Sequence, residues 1–551
     1  MNFRWIQILS AWFAITAGTL CWAAEEQKAP EAKIPSPEVT KSEAKKPLDG
    51  ENQPQSKPDK DSSADKDQQK QPAASITHHT VTIADQEIAY TATADQLSIK
   101  TDQGEEKARI FFIAYRRESQ EPSVQRPITF CFNGGPGSSS VWLHLGMLGP
   151  QRVQLRDDAQ PQPPPFQLVP NHYSLLDITD LVFIDPVSTG YSRPAKDEDK
   201  KQFHGYQEDL NSVGQFIHDY ITQNGRWQSP KFLVGESYGG LRAAGLAGLL
   251  QNRYGMYLNG LVLVSAVLDF QTLAFSETND LPYIVFLPSY TATAWYHGKL
   301  DHDLQQLPLK KVVRKAESFA AGPYARALLQ GDSLSSQKHD EIARQLATLT
   351  GLSPEYVLRA NLRISMRRFA KELLRDRQET VGRFDSRYVG SDRDSVGEAY
   401  SYDPSAAVFM GPFTAAMNDY LYRTLDYKDE RVYEILTGNV FPWNYNQFKN
   451  RYVNATETLR RAMTTNPFLK VFAACGYYDL ATPQFAMTYT QDHLALAPKL
   501  ASNFQMGFYQ GGHMMYVYTP ALKKLRKNLL GFYQEATYTS NQAEATPTEK
   551  N

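Results

Sequence analysis

Ser237 stands in the pentapeptide Gly235-Glu236-Ser237-Tyr238-Gly239. A serine hydroxyl is a useful nucleophile only when a base takes its proton and a carboxylate orients that base. Two later loops supply those residue types: Gly476-Tyr477-Tyr478-Asp479 and Gln510-Gly511-Gly512-His513. A fourth element, Asn133-Gly134-Gly135-Pro136-Gly137-Ser138-Ser139-Ser140, holds three glycines in five residues. Such a loop frees backbone N–H groups to face a ligand, as an oxyanion hole requires. No lysine follows these glycines and the chain has no G-x-x-x-x-G-K-[ST], so a phosphate cradle lacks support. The chemistry these residues suit is acyl transfer through a covalent serine ester.

Each of these residues must be carried past the end of a strand. Continuous apolar runs predict strands near 128–132, 181–185, 231–235, 260–265, 470–475 and 504–509. Runs of this kind are buried on both faces, as in a parallel sheet covered by helices. A helix is predicted over Glu208–Gln223, and a helical pattern follows Ser237 from Gly240 to Ala247. Strand, tight turn and helix around Ser237 form the setting of a nucleophile elbow. The alternation gives an α/β class with a central, mostly parallel sheet. Runs at Thr80–Ile83 and Ala108–Tyr115 predict antiparallel hairpins at one sheet edge. Cys131 and Cys475 end strands that would not be neighbours, so two buried thiols are expected.

With 551 residues and a net charge of −2, the chain can hold a large core and has no global pull toward nucleic acid or an anionic membrane. Residues 1–24 read as an export signal: Arg4, an apolar run from Trp5 to Trp22, then Ala23-Ala24. Bulky Leu20 argues against a lipid anchor at Cys21, so no stable membrane insertion is expected after cleavage and the location is periplasmic or secreted. Residues 25–76 have a disordered linker's composition, rich in Lys, Glu, Pro and Gln, and residues 537–551 resemble it. Between lie a first core segment, 77–270, a helical insertion, 271–440, and a second core segment, 441–536. Leu358, Leu362, Met366, Phe369 and Leu373 recur at helical spacing, beside Arg359, Arg363, Arg367, Arg368, Lys371 and Arg375. These cations read as a solvated face beside acidic neighbours rather than a nucleic-acid surface. No metal or cofactor is expected: there is no H-E-x-x-H, and His78-His79 lie at the linker's edge.

Taken in order, Asn133–Ser140 with Leu148-Gly149-Pro150, Asp185-Pro186-Val187 with Thr189–Ser192, Gly235–Gly240, the Asp479 loop and Gly512-His513-Met514 resemble the serine carboxypeptidases. The resemblance runs from about residue 80 to 535. It implies an α/β-hydrolase fold with a helical cap inserted before the Asp, and removal of C-terminal residues from peptides or proteins. Carried over, Ser237 is the nucleophile, His513 the general base and then acid, and Asp479 its orienter. Gly135 and Tyr238 give the oxyanion N–H groups, and Asn133 and Glu236 hold the substrate carboxylate. Two carboxylates attract only if one keeps a proton, so Glu236 is expected to be buried with a raised pKa. Two positions depart from the family: Ser138 replaces a cysteine tied into a disulfide, and Met147 replaces a second Glu that partners the first. Without that partner a weaker acidic preference is expected. An acyltransferase or esterase on the same triad, and a catalytically silent binding protein, are the alternatives. Side-chain preference and oligomeric state are not legible.

Overall fold

The computed structural model describes residues 72–118, 126–196 and 198–538. The expected signal, nearly all of the linker and the tail beyond 538 lie outside the described residues.

One sheet organises the molecule. Its strands are β1 (Ser75–Ile83), β2 (Gln86–Lys100), β3 (Glu106–Arg117), β4 (Ile128–Phe132), β5 (Asp180–Ile184), β6 (Lys231–Glu236), β7 (Gly260–Val264), β8 (Lys470–Gly476) and β9 (Phe504–Tyr509). They lie in the order β1-β2-β3-β5-β4-β6-β7-β8-β9, and the short Arg193–Pro194 segment pairs with β3. From β5 to β9 every pairing is parallel, while β1, β2 and β3 form an antiparallel edge that joins β5. The α/β-hydrolase architecture read from the sequence is the one observed. β4, β5, β6 and β7 are buried along their whole length, which is why their sequences are unbroken apolar runs. β1 begins at Ser75, inside the stretch expected to be linker, because Ser75 pairs with Ala94 and its hydroxyl donates to the Leu425 carbonyl.

Helices α1 (Tyr206–Gln223) and α2 (Tyr238–Tyr254) cover one face of the sheet. Val213, Phe216, Leu241 and Leu246 pack there against Leu233, Leu261 and Val471. Between β7 and β8 the chain leaves the sheet. α3 (Leu281–Tyr296), α4 (Leu309–Phe319) and α5 (Ser336–Thr350) build a separate core around Phe286, Tyr290, Val312, Leu346 and Phe369. α6 (Pro404–Asp419) instead sends Phe409, Phe413 and Met417 into the core on the sheet's other face. That face is closed by α7 (Thr519–Tyr538), whose Leu525, Leu529 and Phe532 meet Phe232, Val234, Val262 and Phe472. Successive residues of β6 thus serve opposite cores, as strand geometry requires. α7 ends at Tyr538, past the expected start of the tail.

The periodic stretch from Leu358 to Leu373 is not one helix. It is two short ones, Pro354–Arg359 and Met366–Glu372, separated at Asn361 and Leu362, whose φ values are +49° and +62°. Both segments face one core, so the spacing survives the break. Five of its six cations are paired: Arg359 with Glu355, Arg363 with Asp280, Arg368 with Glu398, Lys371 with Asp392 and Arg375 with Glu372. Cys131 and Cys475 are free and buried, on β4 and β8 with two strands between them. No helix among the described residues is long and apolar enough to cross a membrane.

Candidate active site

Parallel register sets the site. Phe132 pairs with Gly235, Gly235 with Leu263, Val264 with Ala474, and Gly476 with Tyr509. The loops after β4, β6, β8 and β9 therefore emerge on one edge, at the strands' C-terminal ends.

Ser237 joins β6 to α2 with φ +60° and ψ −125°, a backbone shape that costs energy for any side chain. The turn is so tight that a Cβ on Gly235 would lie 2.1 Å from the Gly239 carbonyl oxygen. Gly134 also presses on the elbow: a Cβ there would sit 2.5 Å from the Tyr238 nitrogen and 2.7 Å from the Glu236 oxygen. Access to the Tyr238 N–H thus depends on residue 134 having no side chain. A buried ion pair locks these two loops together. Arg242 on α2 donates from Nε to Asp209 on α1 (2.7 Å) and from Nη1 to the Asn133 carbonyl (2.5 Å).

His513 follows β9, and its Nδ1 lies 2.9 Å from Asp479 Oδ2. A proton on Nδ1 is then donated to that carboxylate, which leaves Nε2 as the basic nitrogen. Asp479 is fully buried, and its Oδ1 accepts from the Ala481 and Thr482 N–H groups at 2.7 and 2.9 Å. The Thr482 hydroxyl is 2.8 Å from both Asp479 Oδ2 and the Ser265 carbonyl, and 3.1 Å from His513 Nδ1. Burial opposes a charge on His513, but the Asp479 charge and hydrogen bond, helped by the Glu236 charge, outweigh it and hold the imidazole above its ordinary pKa. The insertion holds the same loop. The Phe384 carbonyl accepts the His513 N–H at 2.5 Å, and Asp385 accepts the Gly512 N–H at 3.0 Å.

Glu236 is 3 % exposed. Burial pushes its carboxyl up to about 7, against the opposing pull of His513, Tyr516 and Asn133. The Tyr516 hydroxyl donates to Glu236 Oε2 at 2.6 Å. Met147, at the place of the second Glu, is buried in the core on the sheet and is not among the residues lining the cavity. Desolvation, with a smaller push from the Asp479 charge, lifts Glu236 without a second Glu beside it, and the Tyr516 phenol holds it. The other departure is also compensated. Trp142 donates its indole N–H to Ser138 Oγ (2.9 Å). The glycine loop is stitched to residues 434–437 by Ser139 N–H to Ile435 O (3.0 Å) and Thr437 N–H to Gly137 O (2.9 Å).

Asn133, Gly135, Glu236, Ser237, Tyr238 and His513 all line one cavity of about 180 Å³. Asp479 sits beneath it, behind His513. Its other walls are mostly apolar, among them Trp142, Phe270, Phe409 and Met514. Sequence reading missed Tyr516, Thr482 and the Arg383–Asp385 segment. Tyr516 follows His513 by three residues, a spacing that brings it back toward the site. The segment 383–385 carries no local motif.

A family model described as serine carboxypeptidase matches residues 98–519. The lysosomal protective protein of Mus musculus is 29 % identical over 189 residues, which cover 34 % of this chain and 35 % of that protein. The pheromone-processing carboxypeptidase KEX1 of Saccharomyces cerevisiae is 34 % identical over 113 residues, 20 % of this chain and 14 % of that one. The matched segments thus span about a third or less of these relatives' own length. The crystal structure of KEX1(delta)p, a prohormone-processing carboxypeptidase from Saccharomyces cerevisiae, superposes with a TM-score of 0.50 at 17 % identity, covering 81 % of this chain and 91 % of that one. With the family match extending from the end of β2 to the start of α7, this chain belongs to the serine carboxypeptidase family.

Proposed function

We propose that the protein is an exported serine carboxypeptidase that removes the last residue of a peptide through an acyl-enzyme. The observation that carries this reading is the placing of a buried carboxyl, Glu236, directly before Ser237 and in the same cavity as His513. In this reading Ser237 attacks the last peptide carbonyl while His513 Nε2 takes its proton. Asp479, fixed by two backbone N–H groups and the Thr482 hydroxyl, orients the imidazole and stabilises its charge. The Gly135 and Tyr238 N–H groups receive the oxyanion, and His513 then protonates the leaving amine. Water attacks the ester by the same route in reverse. Asn133 and protonated Glu236 bind the free carboxylate of the departing residue, which confines cleavage to chain ends. The insertion, residues 271–440, acts as the cap over this cavity, and its Leu273, Arg383, Phe384 and Phe409 are among the cavity's walls. Export rests on Arg4 and the apolar run from Trp5 to Trp22.

The test compares an N-blocked dipeptide having a free carboxylate with its C-terminal amide, using Ser237→Ala as control. Faster release from the free acid, lost in Ser237→Ala, is the expected result. Equal rates on acid and amide would remove the carboxylate role of Glu236. Undiminished rates in Ser237→Ala would remove the mechanism.

A further inference from the structure

Several buried cations in this protein come with carboxylates, and others, such as Lys231 and Arg193, are held by backbone carbonyls. Arg242 has Asp209, Arg387 has Asp385, Arg226 has Asp180 and Lys371 has Asp392. Arg383 does not. Among the described residues no carboxylate lies within ion-pair distance of its guanidinium, and the group makes no hydrogen bond. Its backbone, by contrast, is pinned on both sides. The Arg383 N–H donates to Asp403 Oδ1 at 3.1 Å, and its carbonyl accepts from the Leu480 N–H at 3.0 Å, one residue past Asp479. The side chain lies over the Phe384 ring, 5.3 Å from its centroid, and lines the cavity that holds Ser237 and His513. Phe384 in turn meets the His513 ring, with centroids 5.2 Å apart.

Arg383 is the one Arg or Lys among the residues lining this cavity, whose other walls are largely apolar. A guanidinium keeps its charge across the working pH and presents a planar fork of donors matched to a carboxylate. Partly desolvated and unpaired, it loses hydration that nothing in the protein returns. A carboxylate entering with the substrate would return it. The position also matters: Arg383 contributes a repelling charge to His513, whereas His513, Tyr516, Asn133 and Asp479 are the groups that act on Glu236. Seated on Phe384, whose ring meets that of His513, Arg383 stands on the His513 side of the cavity.

We infer that Arg383 forms a second carboxylate subsite, which selects substrates bearing an acidic side chain on a residue flanking the scissile bond. This rests on the carboxypeptidase reading of the cavity. The shared chemistry, a carboxylate, could also come from the chain end itself, so the substrates must separate the two sources.

Rates are measured on N-blocked dipeptides ending in Phe-Glu, Phe-Gln, Glu-Phe and Gln-Phe, as free acids and as C-terminal amides, for the wild type, Arg383→Gln and Arg383→Glu. The wild type is expected to favour the better-placed Glu substrate over its Gln partner about tenfold or more in kcat/KM. That ratio should fall toward one in Arg383→Gln and drop below one in Arg383→Glu. An Arg383→Gln loss that is equal for Glu and Gln free acids but absent for amides would assign the guanidinium to the terminal carboxylate instead. That outcome overturns the side-chain selection. Glu/Gln ratios unchanged in both variants would overturn the subsite altogether. Calorimetric binding of N-benzoyl-glutamate against N-benzoyl-glutamine to Ser237→Ala, with and without Arg383→Gln, reads the subsite without turnover. A preference for the glutamate that vanishes with Arg383→Gln supports it even if the wild type hydrolyses none of the peptides. Equal binding overturns it. Melting temperatures of the variants separate misfolding from a lost contact.

Discussion

The phenol of Tyr516 and the carboxyl of Glu236 meet at 2.6 Å, with both side chains buried. Burial and the neighbouring carboxyl hold the Tyr516 hydroxyl well above the usual phenol range, so it stays a donor. A donor fixed on Oε2 leaves Oε1 as the oxygen that can carry the Glu236 proton. A protonated carboxyl is thereby aimed in one direction, without a second acid to share its proton.

Tyr516→Phe removes that aim. The mutant should bind free-acid dipeptides several-fold more weakly, about 1 kcal/mol, while kcat on an ester substrate changes less than twofold. Loss of a hydrogen bond to the charged form should also move the Glu236 titration further upward. Steady-state kinetics on acid and ester substrates across pH would check this. An unchanged KM with an unchanged pH profile would leave Tyr516 a packing residue.

The pH profile should depend on the substrate. His513 must be neutral to accept the serine proton, and its pKa lies above the ordinary 6.5, so activity falls on the acid side. Glu236 must be protonated to greet a carboxylate and loses its proton around pH 7, so free-acid cleavage falls on the alkaline side. The two groups feel each other's charge, and the apparent limits belong to the pair. A narrow bell is expected for peptides with a free carboxylate and a plateau above neutrality for esters. The same alkaline fall on both would exclude Glu236 as its source.

Glu236 should also weaken the fold. Its pKa is raised from 4.5 to about 7, so between those values the folded protein holds a proton that the unfolded chain releases. Stability is therefore lost as pH rises through this window, by an upper limit of about 3 kcal/mol. Glu236→Gln should raise the melting temperature at pH 8 by a few degrees and leave it unchanged near pH 4, while weakening free-acid hydrolysis. Thermal melts at the two pH values check the prediction, and an equal shift at both would contradict it.

Gly134→Ala should be nearly silent in a helix and severe here. Its methyl would meet the Tyr238 nitrogen and the Glu236 carbonyl oxygen inside contact distance. Loss of one oxyanion donor predicts a fall in kcat of about 10²–10³ on peptides and esters alike. A fall confined to free-acid peptides would mean that the loop serves the carboxylate rather than the oxyanion.

The parallel strands β4 to β8 were legible because each is buried on both faces, and half-buried β9 because it too carries an apolar run. The runs at 128–132 and 504–509 match β4 and β9, and the other four lie within one residue at each end. β2 was missed because polar and apolar residues mix along Gln86–Lys100, as on a half-exposed edge. The positions of Ser237, Asp479 and His513 were legible for a related reason, since each lies just past a strand of the parallel sheet. Arg383 and Phe384 reach the same cavity, and Asp385 the His513 loop, from an insertion remote in sequence. Nothing in their local pattern announces a site, because their position is set by the packing of that insertion on the His513 loop. The broken helix at Asn361-Leu362 shows the complementary limit. Periodicity reported which side chains face the core, and a positive-φ turn between two short helices preserved that face while ending the helix.

The stitching of Gly137 and Ser139 to residues 435 and 437 has a consequence for where this molecule can be assembled. The glycine loop is closed by peptide hydrogen bonds and a tryptophan–serine contact, and the two described thiols are sealed with two strands between them. Among the described residues there is no covalent cross-link for a reductant to cut. Millimolar dithiothreitol should leave the site intact, and folding of the described body should be indifferent to the redox poise of its compartment.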